Sequence, residues 1–357
     1  MRTPVVGTPR VGRRLRGREP GRPAADKSDG SAASSGRGGA PGRFGLRAVW
    51  AALLGCVWWP VWVAAAGDMG RELIRDPHFQ DGFVLMRPEP GRHQPYGTLA
   101  GVRADGTAVW DLDQWSSHYP LAADAPERLG PGVLRYANVA KAVWVARPGA
   151  AEADLTLAVQ ASREYGSRAR RGGEPWVHLL VEQPIENPPA LASLAAARLH
   201  VEARLQEARR LTTPDYSPSL HAAQFQIFFS LQNQNHESAG YGQYLWFGIP
   251  LYDDRQRSPA AFAAQDTGGT KMFIFTPAGS VFTAQSAHDR QWITVDTDLL
   301  PLLRQGLETA WSRGFLRGSQ SLADYRIAGM NLGWEVPGTF DVSMRIRNLS
   351  LKVRSGP

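Results

Sequence analysis

Trp176, His178 and Glu182 occupy alternate positions in the run Trp176-Val177-His178-Leu179-Leu180-Val181-Glu182-Gln183. In an extended strand, side chains two apart share a face. These three therefore project together while Val177, Leu179 and Val181 turn the other way, toward a core. A carboxyl beside an indole loses hydration, which raises its pKa and suits it to proton donation. His178 stands where it would tune that carboxyl. The plainer reading of the same pattern is a wet strand face with ordinary polar residues. A second run, Ile327-Ala328-Gly329-Met330-Asn331-Leu332-Gly333-Trp334-Glu335-Val336, sets Gly329, Asn331, Gly333 and Glu335 against an apolar face of Met330, Leu332, Trp334 and Val336. Its glycines either leave room for a ligand against the strand or accommodate twist.

A third set joins Gln224, Gln226, Gln232 and Gln234 with Tyr244, Trp246 and Tyr252. Amides offer donors and acceptors together, as sugar hydroxyls require, and aromatic rings stack on the apolar faces of pyranoses. The alternation leaves open whether Tyr244 and Trp246 or Phe247 and Ile249 face inward. Oxygen ligands at Asp253-Asp254, Asp111/Asp113 and Asp341 would suit a structural Ca²⁺, without a diagnostic loop spacing. Beyond that no cofactor and no catalytic metal is expected. The sequence has no G-x-S-x-G, no G-x-x-x-x-G-K-[ST] and no H-E-x-x-H, which argues against serine hydrolase, nucleotide and zinc-protease chemistry. Gly240-Tyr241-Gly242 lacks the third glycine of a dinucleotide loop.

The elements that must position these groups are strands. Of 357 residues, 43% are hydrophobic and 20% charged, with 37 Gly and 26 Pro, a balance that favours strands and turns. Period-two alternation runs through residues 176–183, 199–205, 224–234, 243–252, 271–276, 327–336 and 340–353, with an apolar phase shift near Asn348 that predicts a bulge. Shorter strands are expected at 73–74, 82–86, 108–112, 140–146 and 155–161, and a short helix at 190–197. One clear helix is predicted, capped by Thr297, with Leu299, Leu303, Leu307 and Trp311 on one face and a stop at Gly314. The fold class is all-β: a two-sheet jelly-roll β-sandwich with one short helix.

The formal net charge is +7. Residues 1–47 hold 11 Lys/Arg and 3 Asp/Glu, leaving 29 basic and 30 acidic residues for the rest. The basicity belongs to the tail, so the folded part offers nucleic acid no overall attraction. Three segments are predicted: a disordered basic tail over 1–46, a signal peptide or membrane anchor over 47–67, and the jelly roll over 68–357. The uncharged stretch 48–66 follows Arg43 and Arg47 and ends Ala64-Ala65-Ala66, as a secretory signal does; uncleaved, it would be the only membrane contact. The single cysteine, Cys56, lies in that stretch, so the remainder has neither disulfides nor cysteine-based metal sites.

The segment Ala328-Gly329-Met330-Asn331-Leu332-Gly333-Trp334-Glu335, a glycine turn and the alternating strand 340–346 resemble the end of concanavalin A-like jelly-roll glycosidases, nearest to glycoside hydrolase family 12. The resemblance spans about 25 residues. It implies a sugar cleft closed by Glu335 as acid/base. That family places its nucleophile in a Glu-Met-Ile-Trp-like strand mid-chain, where this sequence carries Gln226, Gln232 and Gln243. Glu182 is the best second carboxylate from the residues alone. The expected protein is thus an exported monomer, secreted or periplasmic, or else anchored at the cell envelope. It would hydrolyse a polysaccharide with Glu182 and Glu335, tuned by His178, and bind it through Trp176, Gln226, Gln232, Tyr244, Trp246 and Asn331. Lyase action through His178 or Tyr244 is a variant. A non-catalytic lectin-like module is the alternative, and a structural envelope protein a third reading.

Overall fold

The alternation carries through into the structure, a computed structural model that describes residues 70–150, 153–166, 168–211 and 213–356. The basic tail and the apolar run 48–66, with Cys56, lie outside the described residues. In chain order the elements are β1 (Arg71–Glu72), β2 (Gly82–Met86), β3 (Pro95–Ala100), β4 (Trp110–Asp113), β5 (Glu127–Gly130), β6 (Val133–Ala137), β7 (Lys141–Ala146), β8 (Leu155–Gln160), α1 (Ala161–Tyr165) and β9 (Val177–Pro184). Then follow β10 (Leu194–Arg210), β11 (Gln224–Asn233), β12 (Tyr244–Asp253), β13 (Phe262–Gln265), β14 (Phe273–Thr276), β15 (Ile293–Asp298), α2 (Leu300–Ser312), β16 (Tyr325–Val336) and β17 (Phe340–Ser355).

They form the expected jelly-roll sandwich. Sheet A runs β15-β10-β17-β8-β7-β6-β5, with β1 also on β17; sheet B runs β13-β14-β12-β11-β16-β9-β4-β2-β3. The core lies between them. Sheet A contributes Leu199, Val201, Ala203 and Leu205 from β10 and Val342, Met344 and Ile346 from β17; sheet B contributes Leu179 and Val181, Phe225, Ile227 and Phe229, and Leu332 and Trp334. The Trp334 indole donates to the Leu157 carbonyl of sheet A at 2.9 Å, satisfying its one polar atom inside the core. The bulge predicted near Asn348 is present. Pairing with β10 slips between His200/Ser350 and Glu202/Arg347, and Asn348 takes φ +57°.

Three local expectations need correction. The described residues contain two α-helices, because the chain leaving β8 coils into the five-residue α1. The alanine-rich start at 190–197 gives only a 3₁₀ turn, Leu191–Ser193, before β10 begins. Alanine favours helix, but the alternating Leu199, Val201, Ala203 and Leu205 bury one strand face, and burial outweighs propensity. Leu299, not Thr297, is the cap of α2, and Asp298 before it supplies the acceptor: its Oδ1 accepts the Leu300 amide at 3.1 Å and the Ala197 amide at 2.9 Å. Leu299, Leu303 and Leu307 are buried as read from the sequence, and Gly314 takes φ +79° after the last turn.

Candidate functional site

The outer face of sheet B carries nearly every residue singled out in the sequence. β9 turns His178, Leu180 and Glu182 outward, β16 turns Asn331 and Glu335, β11 turns Gln224, Gln226, Phe228 and Gln232, and β12 turns Tyr244 and Trp246, while Leu245, Phe247 and Ile249 enter the core. The register aligns them in rows. Asp111, Glu182, Asn331, Phe228 and Gly248 lie across five consecutive strands; His178, Glu335, Gln224 and Asp253 form another row. The face curls into a trough. The turn between β13 and β14, at one edge, brings Gly268 against the Trp176 indole beyond three intervening strands: a Cβ on Gly268 would lie 3.4 Å from the ring. The same turn accepts the Trp246 indole N–H on Thr270 Oγ1 at 3.2 Å.

Glu182 stands in an acidic cluster. Asp111 is its direct cross-strand partner on β4, and Asp113 lies one step diagonally. Trp110 and Leu112 alternate into the core, which turns both aspartates outward. Asp113 is 1% exposed. If ionised, its two oxygens would be buried acceptors with no donor. A proton held between Asp113 and Glu182 supplies one. Burial first, then the charge of Glu182, pushes the Asp113 carboxyl up to about 8. Burial and the charge of Asp111 also raise Glu182. Asn331, opposite Glu182, is hydrogen-bonded to it. His93, in the turn after β2, closes the cluster with Nε2 3.1 Å from Asp111 Oδ2. Its hydrogen bond to Asp111 raises it to about 9, so it is an imidazolium at neutral pH.

Glu335 stands elsewhere. It pairs with His178, four residues along the strands from the Glu182–Asn331 pair. At about 3.3 Å per residue that is roughly 13 Å. Its Oε2 accepts the Trp176 indole N–H at 3.1 Å and faces His178 Nε2 at 3.5 Å. His178 Nδ1 lies 2.9 Å from the Trp176 carbonyl, which can only accept, so that nitrogen bears a proton. Trp115 packs on the imidazole, centroids 5.4 Å apart. Burial opposes the charge on Glu335, but the bond and charge of His178 and the indole donor outweigh it and hold the carboxyl below its usual range.

The structure therefore gathers Trp176, His178 and Glu335 at one place and Glu182 with Asn331 at another. Glu182 and Glu335 are not a pair across one glycosidic bond, whose two carboxyls stand about 5–5.5 or 6.5–9.5 Å apart. His178 accordingly neighbours Glu335 and not Glu182. Gly333 also departs from expectation. Its Cβ would lie 2.2 Å from the Leu179 carbonyl, so it answers close strand approach rather than ligand room. Gln226 lies between the two clusters on β11; Gln232 donates to the Gly242 carbonyl at 3.2 Å. Tyr244 and Trp246 meet edge to face, centroids 5.2 Å apart.

Sequence reasoning missed His93 and Trp115, and valued Asp111 and Asp113 only as calcium ligands. The signal was there for the aspartates: Trp-Asp-Leu-Asp alternates as cleanly as the β9 run. His93 belongs to a turn with no periodicity. The other acids considered for calcium are held by protein partners. Asp253 is bound by Arg255 at 2.6 Å, Asp341 by Arg209, and Asp254 accepts the Ala223 amide at 2.7 Å. Among the described residues, no group of three or more His, Cys, Asp or Glu is arranged to hold a metal ion.

No protein-family model and no curated protein matches the sequence. Among solved structures the chain is similar to a cellulase derived from that of Rhodothermus marinus, at 14% identity and TM-score 0.36, over 69% of this chain and 100% of that one. It is similar to the family 11 xylanase of Neocallimastix patriciarum, at 7% identity and TM-score 0.31, over 64% and 98%. It is also similar to the xyloglucanase domain of a type three effector from Sinorhizobium fredii, solved with cellobiose, at 10% identity and TM-score 0.32, over 67% and 100%.

Proposed function

We propose that the protein cleaves glycosidic bonds in a polysaccharide chain lying along the outer trough of sheet B, with the chemistry centred on Glu182. The observation that carries this is the carboxyl cluster: Glu182 directly opposite Asp111, with Asp113 buried beside them. Directly opposed residues on antiparallel strands have Cβ atoms about 4.5–5.5 Å apart, which puts both carboxyls within reach of one sugar residue. The Glu182–Asp113 pair keeps a proton at neutral pH and serves as the acid. Asp111, facing the His93 imidazolium, serves as the carboxylate that meets positive charge developing at the sugar carbon, which a solvent water then attacks, its oxygen becoming the new reducing-end hydroxyl and its proton passing back to the carboxyl pair. Asn331 orients Glu182. Trp246, Tyr244 and Trp176 offer stacking surfaces along the trough, and the Gln226 amide offers hydrogen bonds. Export by way of residues 48–66 fits an extracellular polymer substrate.

The test is release of reducing ends from a panel of neutral and acidic polysaccharides. The wild type is expected to degrade at least one. Glu182→Gln and Asp111→Asn should lose turnover while still retaining that polymer in affinity electrophoresis. One observation favours a second reading, a binding-only module: the outward residues of β11 and β12 include no glutamate, and their polar members short of Asp253 are Gln224, Gln226, Ser230 and Gln232 beside aromatics. Retention of a polymer without any bond cleavage would select that reading, and neither retention nor cleavage would discard both.

A further inference from the structure

A second concavity lies apart from the trough, where β10, β12 and β17 meet the turn 287–290. It has a volume of about 430 Å³. Its floor is apolar: Leu205, Phe340 and the ring of Tyr252 line it, and all three are buried. Its rim is charged, with Arg210, Arg290 and Asp254. Because Tyr252 points to the core side of sheet B, this site and the Glu335 row sit on opposite faces of the sheet.

Two features mark the cavity as built to receive something. Tyr252 is only 3% exposed, and it reaches the cavity with a hydroxyl for which the described residues supply no hydrogen-bond partner. Arg290 holds φ +56°, a conformation disfavoured for a side chain of this kind, and it closes the turn that carries it to the rim. The guanidiniums are only partly engaged. Arg210 donates to the Tyr216 hydroxyl at 3.1 Å and Arg290 to the Gln206 carbonyl at 3.1 Å; among the described residues neither is ion-paired. His288, stacked on Tyr252 at 4.8 Å, is occupied by the carbonyls of Asp253 and Gln256. Two guanidiniums against one carboxylate, over an aromatic floor, call for an anion attached to a flat apolar body.

We propose that this cavity binds a small organic acid with a planar apolar body, its ring against Tyr252 and Phe340 and its carboxylate between Arg290 and the Tyr252 hydroxyl. A guanidinium takes a carboxylate through two parallel hydrogen bonds, and the phenol supplies a third. Inorganic phosphate would meet the cations but leave the apolar floor wet, and a neutral ring would cover the floor but leave the cations unmatched.

Isothermal titration of the full chain with benzoate tests this, with benzyl alcohol and inorganic phosphate as controls. Saturable one-to-one binding of benzoate is expected, with both controls at least about tenfold weaker. Arg290→Gly removes the guanidinium while suiting the left-handed backbone, and should weaken benzoate about tenfold. Tyr252→Phe keeps the ring and should weaken it about threefold to tenfold. Glu182→Gln should leave benzoate binding unchanged, which separates this site from the reading of the trough. Absence of benzoate binding, phosphate binding as tightly as benzoate, insensitivity to both rim variants, or loss of binding in Glu182→Gln would each overturn the proposal.

Discussion

Glu182 and Glu335 are identical side chains on neighbouring strands of one sheet face, four residues apart in register, yet their surroundings drive them in opposite directions. Around Glu182 stand two more carboxyls, and the one cation, His93, is committed to Asp111. Burial and like charge raise Glu182 and push Asp113 up to about 8, so this pair of carboxyls keeps a proton at neutral pH. Around Glu335 stand an indole N–H and an imidazole, which stabilise the ionised form despite burial. A carboxyl that holds a proton at neutral pH can donate one; a carboxylate locked by donors is a fixed charge. On the proposed reading the trough thus has a proton-holding, reactive end and a static end of fixed charge, and residue type alone does not distinguish them.

The sharpest way to break this contrast is to neutralise each glutamate in turn. On whichever polysaccharide the wild type degrades, Glu182→Gln should lower kcat by on the order of 10³-fold, the usual scale for losing a positioned acid. Glu335→Gln should cost less than about tenfold in kcat if the chemistry is centred on Glu182 as proposed, because the Glu335 carboxylate is held by Trp176 and His178. Equal losses in the two variants, read from initial rates of reducing-end release, would erase the distinction.

The next effect lies in stability. The folded-state pKa of Asp113 is raised to about 8, above its unfolded value near 3.9. Its favourable contribution is therefore complete below about pH 4 and is lost as pH rises toward 8, since the unfolded chain releases the proton early and the folded chain keeps it. Asp113→Asn removes this penalty. Its melting temperature should exceed that of the wild type by roughly 3 °C or more at pH 8, and the difference should vanish near pH 4. A constant difference across that range, measured by scanning calorimetry, would mean that Asp113 titrates normally and that no proton is shared with Glu182.

These two ends were unequally legible in the sequence. Strand alternation put Trp176, His178 and Glu182 on one face and Asn331 and Glu335 on another, and both faces proved to be the same outer surface of sheet B. Alternation says nothing about register between strands, however. Register set Glu335 opposite His178 and Glu182 opposite Asp111, and it arises from packing of the buried faces and from turns that a local pattern does not encode. The edge strands were the least visible. Glu127–Gly130 is exposed throughout, so it has no apolar period to detect. Pro95–Ala100 begins with proline and contains glycine, which reads as a turn. Ile293–Asp298 did alternate, but its Thr297 and Asp298 looked like the start of the helix that follows.

The smallest predicted effect tests the static end alone. Trp176→Phe keeps an aromatic surface beside Gly268 but deletes the indole N–H that reaches Glu335. One hydrogen bond to an ionised carboxylate is worth about 1.5–3 kcal/mol, so the variant should be destabilised by roughly that amount at pH 7. Because the Glu335 pKa is lowered in the folded state, the stabilisation it brings is present above the unfolded value near 4.3 and is lost as pH falls through the folded value. The gap between wild type and Trp176→Phe should therefore narrow below about pH 4, the reverse of the Asp113 variant, whose gap opens as pH rises. Urea melts at pH 7 and pH 3 decide it. A gap unchanged at pH 3 would assign the loss to indole packing, and Glu335 would then need His178 alone to stay ionised.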